Sequence, residues 1–242
     1  MDWEKHRREV HALGRTQEFL KQITYGGNDG IVTTFAIVAG FAGAAAEGLA
    51  QIGPLAVLVF GLANLFADAV SMGLGEFLST RSAHDLFHSR RAGELREIAN
   101  NPAQERAELI LILRDRGLPA PDAEAAAEII ARNPAMMADL MMTYEFGMMH
   151  PSGDNPAVNG LVTFLSFVAF GTVPLVPYFL LPAADPATFQ LSLVATGAAL
   201  VALGVLRWNA TGERPARCIG ETVSVGAICA AVAFVVGWIV GG

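Results

Sequence analysis

Long apolar runs alternate with charged segments along this chain, and the runs have the length of membrane-spanning helices. A helix needs about 20 mostly apolar residues to cross the hydrocarbon core of a bilayer. Five stretches come close to that length: residues 30–48, 54–78, 158–181, 189–205 and 219–240. The third stretch contains Pro174 and Pro177, which predict a kink because a membrane helix can hold proline when its neighbours satisfy the freed carbonyl groups.

The composition agrees with this pattern. Hydrophobic residues make up 53% of the 242 residues and charged residues only 16%, whereas soluble domains carry about 25% charged residues. We therefore expect an all-α integral membrane protein with five transmembrane helices. A net charge of −7 argues against nucleic acid as a partner.

The basic residues predict how the helices are oriented. All 16 Lys and Arg lie in residues 5–21, 81–132 and 207–217, and none lies in the other connections between spans. Only an odd number of spans places these three segments on one side of the membrane, and the positive-inside rule makes that side cytoplasmic. The N-terminus is then cytoplasmic and the C-terminus is outside.

The segment between the second and third spans has a different composition and predicts a cytoplasmic domain of three helices. A charged helix continues out of the second span to residue 101. Pro102 opens a second helix that Gly117 ends, and Asp122 caps a third that passes a kink at Pro134 to about residue 149. The expected organisation is residues 1–82 for an N-terminal helix and spans one and two, 83–155 for the inserted domain, and 156–242 for spans three to five.

Two Glu-x-x-Glu motifs stand in this insert, Glu94 with Glu97 and Glu105 with Glu108. Residues three apart on a helix share a face, with Cβ atoms about 5–6 Å apart, so each motif points two carboxylates in one direction. Taken alone, each pair is typical of a solvated helix face whose acids pair with the neighbouring arginines at 90 and 91.

A methionine-rich segment follows, in which Met141, Met142 and Glu145 form a Met-Met-x-x-Glu motif. Taken alone, methionine at these positions is more typical of a helical core than of a metal ligand. Together with the glutamates, however, the thioether sulfur favours a borderline divalent transition metal, because Mg²⁺ and Ca²⁺ select oxygen ligands. A bound cation would also relieve the repulsion between clustered carboxylates.

Polar residues recur every fourth position in the second span, at Asn64, Asp68, Met72 and Glu76. This spacing keeps them on one stripe of a helix. A carboxylate facing lipid costs about 2.5–3.5 kcal/mol, so the stripe should face protein or a water-filled path. Asp29, in a Gly-rich segment, stands at the cytoplasmic mouth of the first span, where a helix cap and a functional role are both open.

These residues carry a family resemblance. Residues 25–40 read YGGNDGIVTTFAIVAG and residues 61–79 read GLANLFADAVSMGLGEFLS. Both closely resemble the first two spans of the vacuolar iron transporter family, and the insert with its glutamate and methionine motifs is similar to that family's cytoplasmic metal-binding domain. The likeness covers nearly the whole chain.

The resemblance implies an iron(II)/proton antiporter that works as a homodimer in the lipid bilayer, exports metal from the cytoplasm and has its ion path at the subunit interface. Asp29 and Met72 would line that path with help from Glu76. Family members can carry a carboxylate at the position of Asn64, so Asp68 and Asp29 become the candidate proton acceptors here. The implied metal ligands of the insert are Glu94, Glu97, Glu105, Glu108, Met141, Met142 and Glu145.

Other functions and locations stay open at the sequence level. Paired glutamates also occur in di-iron ferroxidases, although those use Glu-x-x-His, and an insert that binds metal could serve a sensing adaptor. Carboxylate-rich sites accept iron(II), manganese(II) and zinc(II) as substrates, and no prosthetic group is expected. Arginine outnumbers lysine 14 to 2, which is typical of GC-rich bacteria and predicts a bacterial plasma membrane; a vacuolar membrane is the alternative for a eukaryotic source.

Overall fold

The computed structural model describes residues 2, 6, 14–46, 54–151, 153–182 and 185–241, and these residues form helices and connections without strands. The connection at 47–53, residues 183 and 184, and the basic residues at 5, 7 and 8 entered the predicted topology but lie outside the described residues. The chain divides into two units, here called the bundle (Met1–Phe77 with Ala157–Gly242) and the insert (Leu78–Pro156).

Both units are built from helices. In chain order they are α1 (Arg15–Glu18), α2 (Leu20–Ala46), α3 (Pro54–Asn100), α4 (Pro102–Asp115), α5 (Ala120–Ala131), α6 (Pro134–Tyr144), α7 (Pro156–Gly171), α8 (Val176–Leu180), α9 (Pro186–Thr211) and α10 (Pro215–Gly241), with a 3₁₀ turn at Val173–Leu175 between α7 and α8. The 47-residue α3 contributes to the bundle and to the insert.

Four helical segments in the described part of the chain are long and apolar enough to cross a membrane. They are Leu55–Asn100, Pro156–Leu180, Ala187–Thr211 and Pro215–Ile239, and they cover the predicted spans two to five except for one terminal residue of three of them. The predicted first span lies in α2, which is not among the four. Its residues 47 and 48 fall outside the described residues.

Proline and capping residues explain where the bundle helices begin and bend. The predicted kink in the third span is a short 3₁₀ turn, because Pro174 and Pro177 lack the amide protons that a continuous helix needs. Asp185 caps α9 by accepting a hydrogen bond from Ala187 N at 2.9 Å. Gly212 ends α9 with a φ of 69°, a conformation that favours glycine.

Glycine brings pairs of bundle helices into backbone contact. A Cβ atom on Gly73 of α3 would lie 2.9 Å from Gly160 O of α7. On α10, a Cβ atom on Gly237 would collide with Gly40 of α2. Close approach between small residues is a main source of helix association in membranes, where lipid removes the hydrophobic driving force.

The outside of the bundle is rich in large apolar side chains. On α3, Phe66, Val70 and Leu74 are each about half exposed, and α10 exposes Ile228 and Val232. Water would not stabilise so large an apolar surface, whereas lipid hydrocarbon would. The bundle therefore has the exterior of a multi-pass membrane protein.

The insert packs around its own core. Leu109, Met137 and Met141 are fully buried there with Ile98 of α3. The stretch predicted as one kinked helix from Asp122 is two helices, α5 and α6. Pro134 breaks it because Asn133 caps α6, its side chain accepting a hydrogen bond from Met136 N at 3.1 Å.

Candidate functional site

The stripe predicted on the second span is present on α3, and its four members (Asn64, Asp68, Met72 and Glu76) are all half-buried. Asn64 Nδ2 donates a hydrogen bond to Asp68 Oδ2 over 2.6 Å, so one turn of helix orients that carboxylate. Met72 packs against the core of the bundle. The stripe thus faces protein along part of its width.

Asp29 lies on the neighbouring helix α2 and is also half-buried. Its carboxylate interacts electrostatically with that of Asp68, although 39 positions separate the two in the sequence. The preceding residue adds an unusual feature, because Asn28 Oδ1 is buried without a hydrogen-bond partner. Two helices therefore bring two carboxylates into one part of the bundle, and α2 also carries an unpaired buried amide oxygen.

Glu76, at the end of the stripe, has two partners that the sequence did not reveal. Glu76 Oε1 accepts hydrogen bonds from Lys21 Nζ at 3.2 Å and from Gln22 Nε2 at 3.0 Å. Both partners come from α2, more than 50 positions away. No local pattern marks such pairs, because only the packing of α2 beside α3 brings them together.

In the insert, five glutamates from separate segments form one electrostatically connected group, here called the glutamate cluster. Glu94 and Glu105 are buried, with 7% and 6% of their surface exposed, and Glu108 is half-buried. The more exposed Glu97 and Glu145 complete it. All five of the predicted glutamates interact with other members of the cluster.

The cluster holds protons more tightly than free carboxyl groups do. Burial, a hydrogen bond with Glu105 and the negative charges of the other acids raise the pKa of Glu94 to about 7. Burial also raises the pKa of Glu105, and the charges of its neighbours add to the effect. The pKa of Glu145 is raised by burial and by the charges of Glu108 and Glu105. Desolvation and like charge both disfavour the ionised form.

The arginines beside the first motif do not neutralise this charge. Arg91 Nε instead pairs with Asp139 Oδ1 of α6 at 2.5 Å. None of the ion pairs among the described residues involves a member of the glutamate cluster. The solvated-face interpretation of the two motifs therefore fails for Glu94 and Glu105, which are buried and lack a basic partner. Glu94 Oε1 has no hydrogen-bond partner at all.

The methionine motif lies mainly inside the insert. Met141 and Met142 are fully buried, and Met141 belongs to the core. Glu145 follows directly after α6. Across the part of the chain that the structure describes, no three Asp, Glu, His or Cys side chains stand in an arrangement that could close around a metal ion. The cluster is thus a concentration of charge rather than a finished coordination sphere.

The histidines of the insert make other contacts. His84 Nε2 lies 3.2 Å from Asp154 Oδ2, and the rings of Phe87 and His150 meet edge to face at 5.2 Å between centroids. Phe87 also contacts the ring of His88, at 5.7 Å between centroids, so all three histidines of the insert have contacts outside the two Glu-x-x-Glu motifs.

Comparisons with known proteins cover almost the whole chain. The model of the VIT family matches residues 20–238. The chain is 35% identical over 217 residues to vacuolar iron transporter 2 of Oryza sativa subsp. japonica, and the alignment covers 90% of this chain and 85% of the relative. It is 33% identical over 229 residues to vacuolar iron transporter 1 of Arabidopsis thaliana, an alignment that covers 95% of this chain and 88% of the relative. It is also 33% identical over 237 residues to the vacuolar iron transporter of Plasmodium falciparum, with 95% of this chain and 84% of the relative covered.

Proposed function

The chain belongs to the VIT family, and on that premise we propose that it transports divalent transition-metal ions across a membrane, with iron(II) as its main substrate. The family relatives are named iron transporters, not enzymes. The observation that carries the proposal is the electrostatic interaction between Asp29 and Asp68, which come from two helices of the bundle. Met72 follows Asp68 by one turn on the same stripe of α3. Carboxylate and thioether together suit iron(II) and also manganese(II) or zinc(II).

The glutamate cluster would capture the substrate before it enters the bundle. Buried carboxylates without basic partners repel one another, and a dication removes that cost when it binds. The raised pKa values of Glu94 and Glu105 mean that binding also displaces protons. Glu97, Glu108 and Glu145 would supply further oxygen ligands, and Met142 or Met141 would reach the ion after a local rearrangement of α6.

Transport through the bundle would use the stripe. In this mechanism the ion exchanges water for the carboxylates of Asp29 and Asp68 and for the sulfur of Met72, while Asn64 and Glu76 hold the two ends. Protons that enter from the far side neutralise the carboxylates, which weakens metal binding and allows release. The transporter would therefore be an iron(II)/proton antiporter.

The topology proposed for this mechanism has five spans, with α2 as the first. The basic segments then lie in the cytoplasm together with the domain predicted at residues 83–155, which separates residues 1–82 from 156–242. Metal leaves the cytoplasm, across a bacterial plasma membrane or into a vacuole. A homodimer would cover part of the exposed apolar surface of α3 and place the ion path between subunits.

Metal uptake into proteoliposomes tests the proposal. We expect the protein to move iron(II) faster when a proton gradient drives protons in the direction opposite to the metal. Asp29→Asn and Met72→Leu should each slow transport by about tenfold, the equivalent of ~1.4 kcal/mol. Matched controls are Asp122→Asn and Met136→Leu, which alter exposed residues of the insert. Equal rates with and without the gradient would remove the antiport step.

The same preparation separates transport from the other two functions. Oxygen consumption on addition of iron(II), without metal uptake, would identify a ferroxidase. Metal binding without uptake or oxygen consumption would identify a sensing adaptor. Parallel measurements with manganese(II) and zinc(II) give the order of substrate preference.

A further inference from the structure

Glu76 is the one member of the stripe on α3 that forms an ion pair among the described residues, and the pair is asymmetric. The Glu76 side chain is 10% exposed, whereas that of its partner Lys21 is 74% exposed. The second partner, Gln22, is buried and neutral. An exposed positive charge and a buried amide thus share one carboxylate oxygen at the end of a line of potential metal ligands.

We propose that Lys21 is a built-in competitor of the transported cation: its ammonium group holds the carboxylate of Glu76 until a divalent ion displaces it. The inference rests on the proposed transport function and names a residue that sets the apparent affinity for the metal. Neither the glutamate and methionine motifs nor the family resemblance points to this position.

The exposure of Lys21 is what makes displacement feasible. An ion pair with a largely solvated partner is weak, because water stabilises the separated ammonium group nearly as well. The lysine side chain is long and flexible, so the ammonium group can move into solvent while α2 stays in place. Gln22 keeps its hydrogen bond to Glu76 Oε1 and leaves the carboxylate oriented for the incoming ion.

A purely structural role for Lys21 makes a different prediction. If the pair served only to attach α2 to α3, removal of the ammonium group would loosen the bundle and impair transport. If Lys21 competes with the metal, its removal leaves Glu76 free and strengthens metal binding. The direction of the change in KM therefore separates the two roles.

The experiment is manganese(II) uptake into proteoliposomes, because this ion resists oxidation during the assay. We expect Lys21→Gln to lower KM about two- to fivefold, as the loss of one exposed ion pair allows, with the effect on KM rather than on the maximal rate. Lys21→Arg should keep the wild-type KM. Arg15→Gln removes an equal charge from an exposed position nearby and should have no effect.

A double-mutant cycle tests whether the effect of Lys21→Gln on KM depends on Glu76 or only on the loss of a positive charge. In a Glu76→Gln background the carboxylate is gone, so Lys21→Gln should no longer lower KM. Size-exclusion chromatography checks that each variant is folded. An unchanged or raised KM in Lys21→Gln, or an equal fall in the Glu76→Gln background, would overturn the role of Lys21. Absence of uptake by the wild-type protein would instead overturn the transport function itself.

Discussion

Glu94 of α3 and Glu105 of α4 are two buried carboxyl groups from different helices, and each influences the pKa of the other. Burial and the neighbouring acids raise both pKa values, because desolvation and like charge disfavour the ionised form. Because the pKa of Glu94 is about 7, the cluster carries an exchangeable proton at physiological pH.

Metal binding by the insert should therefore depend on pH. A metal ion must displace the Glu94 proton, so we expect its affinity to rise as the pH increases from 6 to 8 and to level off above the pKa of about 7. Titration calorimetry of manganese(II) in buffers of different ionisation enthalpy measures the protons released. About one more proton should be released at pH 6 than at pH 8.

The variant Glu94→Gln provides the control for this proton. It should bind manganese(II) more weakly and lose the extra proton release at pH 6. If it released as many protons as the wild type, the exchangeable proton would belong to another group.

Stability of the metal-free insert should fall as the pH rises from about 4.5 to about 7. A carboxyl group with a raised pKa in the folded state favours folding fully below its unfolded value of 4.5, and this contribution is lost as pH rises to about 7. Amide hydrogen exchange in α4, corrected for intrinsic rates, should show less protection at pH 7.5 than at pH 5. Saturating manganese(II) should restore the protection, and equal protection at both pH values would contradict the assignment.

Arg91 should position α6 relative to α3 within the insert. Its guanidinium contacts two points on α6, Asp139 Oδ1 at 2.5 Å and Ala135 O at 3.4 Å, and lysine cannot reproduce that geometry. We expect Arg91→Lys to speed amide exchange in α6 about two- to fivefold, as befits a partly exposed pair. Arg90→Lys, at an exposed neighbouring position, should leave exchange unchanged.

Two glycines on α3 give a matched test of helix packing in the bundle. A Cβ atom on Gly73 would lie 2.9 Å from Gly160 O, whereas one on Gly75 would meet nothing within 4 Å. Gly73→Ala should lower the free energy of unfolding by about 1–3 kcal/mol, as expected for an overpacked site, and so lower the melting temperature in detergent. Gly75→Ala should be neutral or stabilising by up to ~1 kcal/mol. Similar melting curves for both variants would contradict the close packing of α3 and α7.

Asn64 should matter for transport through Asp68. Removing a hydrogen bond to a charged group costs about 1.5–3 kcal/mol, so Asn64→Ala should raise the KM for iron(II) by at least about tenfold. Asn100→Ala removes an exposed amide from the other end of α3 and should not change KM. A wild-type KM in Asn64→Ala would show that the 2.6 Å hydrogen bond to Asp68 has no part in metal binding.

Sequence patterns predicted the helices better than the side-chain contacts between them. The sequence predicted the four helices that are long and apolar enough to cross a membrane, because apolar length is a local property, and the bend at Pro174 followed from proline chemistry. The single third helix of the insert was wrong, because the cap at Asn133 and the proline at 134 outweighed helix propensity on both sides. The alternative interpretation, in which Arg91 pairs with nearby glutamates, does not hold, since its partner Asp139 is 48 positions away.

The sequence by itself determined the membrane character of the chain, the stripe on α3 and the chemical identity of the candidate ligands, because composition and helical periodicity are carried by neighbouring residues. Tertiary structure alone decided which ligands meet. The approach of Asp29 to Asp68, the burial of Glu94 against Glu105 and the contact of Lys21 with Glu76 all join different helices. Helix packing fixes such contacts, and the strength of each interaction depends on the water that packing excludes.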